Sequence, residues 1–359
     1  MSPPTDPQAV PETAPALLWG MDGLRLAALS STSWLWQGFL ARGGVTLLTS
    51  QWKAGKTTLA SILLARLQTG GMLAGLPLAA GRAVVVSEES PTRWLERGQK
   101  LGFHDHIGWY CRPFRGKPSP DQWLDLLNRL ADAHASRAID LALIDPLAAF
   151  TPGRSENDAG AILDVLMPLQ RLTSLGMGIL VLHHPNKGEC LPGQSARGSG
   201  ALSGYADILL EMNWYQRASD DDRRRRLQAY SRYEETPRQL VIELTADGKD
   251  YLALGTFEEE EFAGQWLTIR AILEQAPRKL TRRDIRKRWP PGKVPDDTTV
   301  YRWLERAEGL GLVCKDGTGL RNSPFRYWLR DREEHWRKDP LAFLHMPELF
   351  PPRADPPPP

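Results

Sequence analysis

The chain has 359 residues, 42% of them hydrophobic and 25% charged, with a formal net charge of +2 at pH 7. That length and apolar fraction provide for two packed domains and exclude a low-complexity chain. Cys111, Cys190 and Cys314 stand far apart without C-x-x-C spacing, and no apolar run approaches bilayer-spanning length. A disulfide framework, a zinc site and a membrane span are therefore excluded, and a cytoplasmic setting is expected.

Residues 1–16 are Pro-rich and acidic and read as disordered, followed by an α/β domain expected over residues 17–257. Gly44–Thr49 are apolar and β-branched and too few for a stable helix, which predicts a buried parallel strand. Ser50-Gln51-Trp52-Lys53-Ala54-Gly55-Lys56-Thr57-Thr58 comes next, and apolar residues then recur at helical spacing to Leu67. Strand, Gly-bearing turn and helix is the context in which G-x-x-x-x-G-K-[ST] reads as a phosphate-binding loop. Backbone N–H groups at the helix start would face the phosphates, Lys56 would add a mobile charge, and the Thr57 hydroxyl would ligate Mg²⁺. The expected cofactors are ATP and Mg²⁺. Ser50 departs from the pattern, standing where a glycine is usual.

Arg82–Ser87 predict a second buried strand that runs into Glu88 and Glu89, at the strand end where ligands bind in parallel sheets. One of these carboxylates could orient and deprotonate a water; the pair could equally start the helix carrying Trp94, with Ser90 or Thr92 as its cap. Ile139–Ile144 form a third strand ending in Asp145, a candidate Mg²⁺ ligand. A fourth, Gly178–Leu182, ends in His183-His184-Pro185-Asn186-Lys187. Neighbouring histidines on a strand point to opposite sides and make a poor chelate, so His184 reads as a sensor of the γ-phosphate.

Ala206–Trp214 predict a last core strand, and Ser219–Arg226, with three aspartates against four arginines, an exposed turn with its charge solvated. Leu227–Tyr233, Gln239–Leu244 and Lys249–Leu254 read as antiparallel strands, and residues 258–263 as an acidic linker. Beyond it the pattern predicts helices at Leu267–Gln275, Thr281–Trp289 with Thr281 as N-cap, and Thr298–Leu310 capped by Asp297 or Thr298. A hairpin of Leu312–Cys314 with Phe325–Leu329 would complete a small winged helix-turn-helix domain over 264–331. Its third helix would present Thr299, Tyr301, Arg302 and Arg306 to a major groove, with Arg282, Arg283, Arg286, Lys287 and Arg288 on phosphates. Residues 264–330 hold 15 Lys and Arg against 7 Asp and Glu, an excess of +8 that favours DNA over the alternative of a protein-docking module. The Pro-rich tail, 332–359, is expected to end in disorder.

The order of these motifs over roughly residues 33–215 resembles the RecA-like ATPases of the RepA, RadA and KaiC kind, which include hexameric plasmid replicative helicases. Trp34–Leu40 and the loop with Lys53 look like the RepA-type entry; Glu88-Glu89-Ser90-Pro91 with Arg97, Asp145, His184–Lys187 and Arg197-Gly198-Ser199 resemble its catalytic, Walker B, sensor and arginine-loop segments. The resemblance implies a RecA-like parallel-sheet core with an antiparallel extension, assembled as a homo-oligomer, a hexamer by analogy. It implies that Glu88 polarises the water, with Glu89 the second candidate, and that Arg197, joined by Lys187, reaches a neighbouring subunit's nucleotide. The expected function is Mg²⁺-dependent ATP hydrolysis coupled to action on DNA as a helicase or remodelling ATPase; the alternative is an ATP-gated DNA-binding switch without translocation.

Overall fold

The computed structural model describes residues 17, 19–27, 33–50, 53–151, 159–183, 204–216, 221–292, 294–320 and 322–333. The Pro-rich stretches 1–16 and 334–359, on which two expectations of disorder fall, lie outside the described residues. The chain divides into two compact units between Ala253 and Leu254.

In chain order the first unit contains α1 (Gly20–Ala27), β1 (Trp34–Trp36), β2 (Leu40–Ala41), β3 (Val45–Ser50), α2 (Lys56–Arg66), β4 (Gly71–Leu73), β5 (Leu76–Leu78), β6 (Ala83–Ser87), α3 (Pro91–Leu101) and β7 (Ile107–Cys111). It continues with α4 (Pro120–Arg137), β8 (Leu141–Asp145), α5 (Leu147–Phe150), α6 (Ala159–Leu166), α7 (Gln170–Ser174), β9 (Gly178–His183), β10 (Ile208–Trp214), β11 (Arg224–Ser231) and β12 (Gln239–Leu244). Strand β13 (Tyr251–Gly255) runs across the division.

Among the described residues the main sheet has nine strands in the order β13-β12-β11-β10-β3-β9-β8-β6-β7. The six strands from β10 to β7 are mutually parallel, while β10–β11 and β11–β12 are antiparallel, as the sequence predicts for the extension. Strands β3, β6, β8 and β9 are buried along their whole length. Their alternate residues serve two cores, as the two-residue period of a strand requires. Val85, Leu143, Leu180 and Leu182 pack with Leu59, Ile62 and Leu63 of α2 and Trp94 of α3. Val84, Val86, Ala142, Ile144, Ile179 and Val181 pack with Trp123, Leu126, Leu127 and Leu130 of α4 and Leu172 of α7. Helix α4 begins in a capping box: Gln122 N–H donates to the Ser119 hydroxyl at 3.2 Å and Ser119 N–H to the Gln122 side chain at 2.9 Å.

Three features differ from the sequence reading. Strand β7 and the separate sheet β2-β1-β5-β4 were not predicted, because strands of two or three residues leave no period and β7 is a half-buried edge containing Gly108. The run read as a solvated turn at 219–226 enters β11 at Arg224, with Arg225 in register with Trp214. The acidic linker 258–263 is the start of a helix, α8 (Phe257–Glu274), because Thr256 caps it in a box with Glu259 and carboxylates in a first turn complement the helix dipole.

The second unit continues with β14 (Leu280–Thr281), α9 (Arg282–Lys287), α10 (Asp297–Gly309), β15 (Val313–Asp316) and β16 (Arg326–Leu329). The strands form an antiparallel sheet in the order β14-β16-β15. Thr281 caps α9, as predicted, whereas α10 is capped by Asp296, whose carboxylate accepts the Thr299 N–H at 2.7 Å. The cap stands one residue earlier than expected because it must reach the N–H three positions on. Val300, Trp303, Leu304 and Ala307 form the buried stripe of α10 and meet Ile269, Leu273, Ile285 and Tyr327 in one core. No helix among the described residues is long and apolar enough to cross a membrane.

Trp123 is 1% exposed, stacks on Phe150 and donates its indole N–H to the Val165 carbonyl at 3.1 Å. Trp123→Ala is expected to cost about 3–5 kcal/mol in urea unfolding, the usual range for emptying a large buried aromatic site.

Candidate functional site

The parallel strands place the carboxyl ends of β3, β9, β8 and β6 side by side, ending at Ser50, His183, Asp145 and Ser87. The turn after β3 needs unusual backbone: Lys53 has φ 57° and Gly55, the N-cap of α2, has φ 105°. A glycine adopts that conformation without a Cβ penalty. Among the described residues no side chain caps α2, which leaves the amides at its N-terminus to an anion. Lys56 opens the helix and is 8% exposed; Thr57 beside it is half-buried.

Burial holds the Lys56 ammonium below its ordinary pKa, against the attraction of Asp145, Glu88 and Glu89. Asp145 is 6% exposed, and burial pushes its carboxyl up to about 6, with Lys56 drawing it back down. Glu88 is likewise raised, first by burial and then by its neighbour Glu89. Lys56 thus meets three carboxylates, with the Arg97 guanidinium also acting on Asp145, and among the described residues no set of three or more His, Cys, Asp or Glu side chains forms a ready-made metal cage.

The two glutamates after β6 differ in surroundings. Glu89 is held in a two-pronged ion pair by Arg97, one arm of which measures 2.9 Å, and the Arg97 guanidinium lies over the Trp94 ring at 4.7 Å. Its backbone N–H donates to the Ser87 hydroxyl at 3.1 Å. Glu88 is anchored through its backbone, its N–H donating to the Asp145 carbonyl at 3.1 Å and its carbonyl accepting from Arg112 Nε at 3.2 Å. Among the described residues its carboxylate has no hydrogen-bond or ion-pair partner. Ser90 holds the N-cap position of α3 but makes no capping bond, and Pro91 follows it.

Two residues absent from the sequence reading adjoin the loop. Arg225 of β11 donates from Nε to the Ala54 carbonyl at 2.6 Å, and its guanidinium lies over Trp214 at 3.8 Å. Tyr251 of β13 is 2% exposed, and a Cβ placed on Gly55 would lie 3.2 Å from its hydroxyl. The alternation Arg225, Leu227, Ala229 carried a strand signal, but the preceding aspartates and arginines obscured it. Gln51, Trp52, His184, Lys187 and Arg197 lie outside the described residues.

In the second unit the predicted contact residues separate into two groups. Arg282 pairs with Asp297 at 3.2 Å and Arg286 donates to the Pro295 carbonyl at 2.9 Å. Arg306 turns toward α8, pairing with Glu259 at 3.6 Å over the ring of Phe262. Arg283, Lys287 and Arg302 are exposed and, among the described residues, form no ion pair; Arg302 reaches only the Thr299 hydroxyl, at 3.5 Å.

Residues 11–189 match the family model described as an AAA domain, a stretch just short of half the chain. No curated protein matches the chain. The match begins ahead of β1, spans the phosphate loop, Glu88, Glu89 and Asp145, and ends past β9. That match, the parallel sheet and the glycine-turned loop opening a helix are all similar to a P-loop ATPase-like domain.

Proposed function

We propose that the protein hydrolyses ATP with Mg²⁺ and couples turnover to action on DNA. The observation that carries the first part is the meeting of Lys56, Asp145 and Glu88 in one electrostatic pocket beside an uncapped helix N-terminus. The amides of that terminus and Lys56 bind the β- and γ-phosphates. Thr57 and Asp145 would hold the Mg²⁺. The donor set fits, because Mg²⁺ takes one or two carboxylates together with substrate phosphates, and Asp145 is a buried acid at a strand end beside the loop. Bound there, the ion would offset charge on the phosphate oxygens. Glu88 serves as the base that orients and deprotonates the attacking water. Glu89 is committed to Arg97, and the raised pKa of Glu88 suits it to accept a proton.

The family resemblance adds His184 as γ-phosphate sensor and Arg197 with Lys187 as groups offered to the next subunit of a ring, a hexamer by analogy. A finger of that kind is worth roughly 10³ to 10⁵ in rate. For DNA, the support is the basic excess of the second unit and its order of helices and antiparallel strands. We read α9 and α10 as a helix-turn-helix and β15–β16 as its wing. Arg302 and Thr299 then face bases, and Arg283 and Lys287 face phosphates, while Arg282 and Arg306 hold the unit together.

Glu88→Gln is expected to lower kcat roughly 100-fold or more while ATP still binds, and Lys56→Ala to abolish binding; steady-state hydrolysis and nucleotide titration check both. Stimulation of turnover by single-stranded DNA supports translocation, and turnover indifferent to DNA supports a switch. In a salt series of DNA binding, Arg283→Ala and Lys287→Ala should each reduce the slope of log K on log salt by about 1, while Arg306→Ala leaves it unchanged. Asp145 has a folded pKa above its unfolded value, so the stability of the metal-free protein should be fullest below about pH 3.8 with respect to this group and fall as pH rises toward about 6. Asp145→Asn should therefore gain on the order of 2–3 kcal/mol in urea unfolding with chelator at pH 7.5, a gain that shrinks toward pH 4, and should lose Mg²⁺-dependent turnover.

A further inference from the structure

We infer that Arg225 is a positioning residue for the nucleotide: from β11 it fastens the phosphate loop by the Ala54 carbonyl and so fixes the direction of the amide that follows. The inference rests on reading Lys53–Thr58 as the phosphate-binding loop. A trans peptide is planar, so the Ala54 C=O and the Gly55 N–H point to opposite sides of one rigid unit. Pinning the carbonyl to Arg225 Nε at 2.6 Å sets the N–H pointing away from the guanidinium. Glycine at 55, with φ 105°, would otherwise let that unit turn at little cost.

Arg225 is itself held on every side. Its Nη1 donates to the carbonyls of Asp222 at 2.6 Å and Arg224 at 2.7 Å, and the Trp214 ring lies 3.8 Å from its guanidinium carbon. Among the described residues no carboxylate lies within ion-pair distance of it, though the charge of Asp222 acts on it from farther off. Burial depresses its pKa, the mark of a cation withdrawn from water rather than one displayed on a surface turn. Tyr251 closes the approach to Gly55 and leaves little room for the loop to move toward β13.

The test uses the full chain, a fluorescent ATP analogue, ADP, and steady-state hydrolysis. Arg225→Ala is expected to raise Kd for both nucleotides and KM about tenfold or more, the scale of a lost charge-assisted hydrogen bond, with kcat at saturation within about threefold. Arg225→Lys should recover only part of the affinity, because an ammonium cannot reproduce the Nε and Nη1 geometry. Should Arg225→Ala fail to fold, Arg225→Gln carries the same expectation. Unchanged Kd and KM in the folded variant would overturn the inference. Lys56→Ala separates the two claims. If it loses binding while Arg225→Ala binds as wild type, only the role of Arg225 fails; if Lys56→Ala binds normally, the loop assignment itself fails.

Discussion

Lys56 carries a positive charge into a place where burial works against it, and the surrounding structure answers that constraint. Its ammonium is offset by Asp145, Glu88 and Glu89, which arrive from two other strands, β8 and β6. Asp145 and Glu88 are in turn raised by their own burial. A polyanion escorted by a divalent cation adds negative charge next to the lysine and positive charge next to the acids, relieving both at once. The parallel sheet makes this possible, because only adjoining strand ends can bring residues 56, 88 and 145 together from distant parts of the chain.

How much of this was legible beforehand follows from which residues carry local signals. The buried strands β3, β6, β8 and β9 are continuous apolar runs, and each ends in a polar residue or a turn, so their existence and the site at their ends were readable. The order of the strands was not, since β9 lies between β3 and β8 only in space. The separate roles of Glu88 and Glu89 were equally hidden. They are adjacent in sequence, and only the reach of Arg97 from α3 tells them apart. Arg225 was misjudged for a related reason: a charged run looks solvated until a tryptophan on the neighbouring strand gives the guanidinium a surface to lie on.

In the second unit, charge count and charge availability diverge. The excess of cations read from the sequence is real, but Arg282, Arg306, Lys279 and Lys315 are engaged by Asp297, Glu259, Asp316 and the pair Glu305 and Glu308. The bonds from Glu305 and Glu308 hold the Lys315 ammonium well above its ordinary range. Such cations serve the packing of a small module whose single core joins three helices and a short sheet. Among the described residues, Arg283, Lys287 and Arg302 stay exposed on α9 and α10 without an ion pair.

The placement of β9 also sets a length. With one strand between β3 and β8, the phosphate loop and Asp145 are separated by two inter-strand spacings, about 9–10 Å. Strand β9 fills that interval, and the charges of Lys56 and Asp145 still act on one another across its end. His183, 2% exposed, ends the intervening strand in register with Thr49. Because β9 pairs with both β3 and β8, a change of side-chain volume along it is felt on two strands at once.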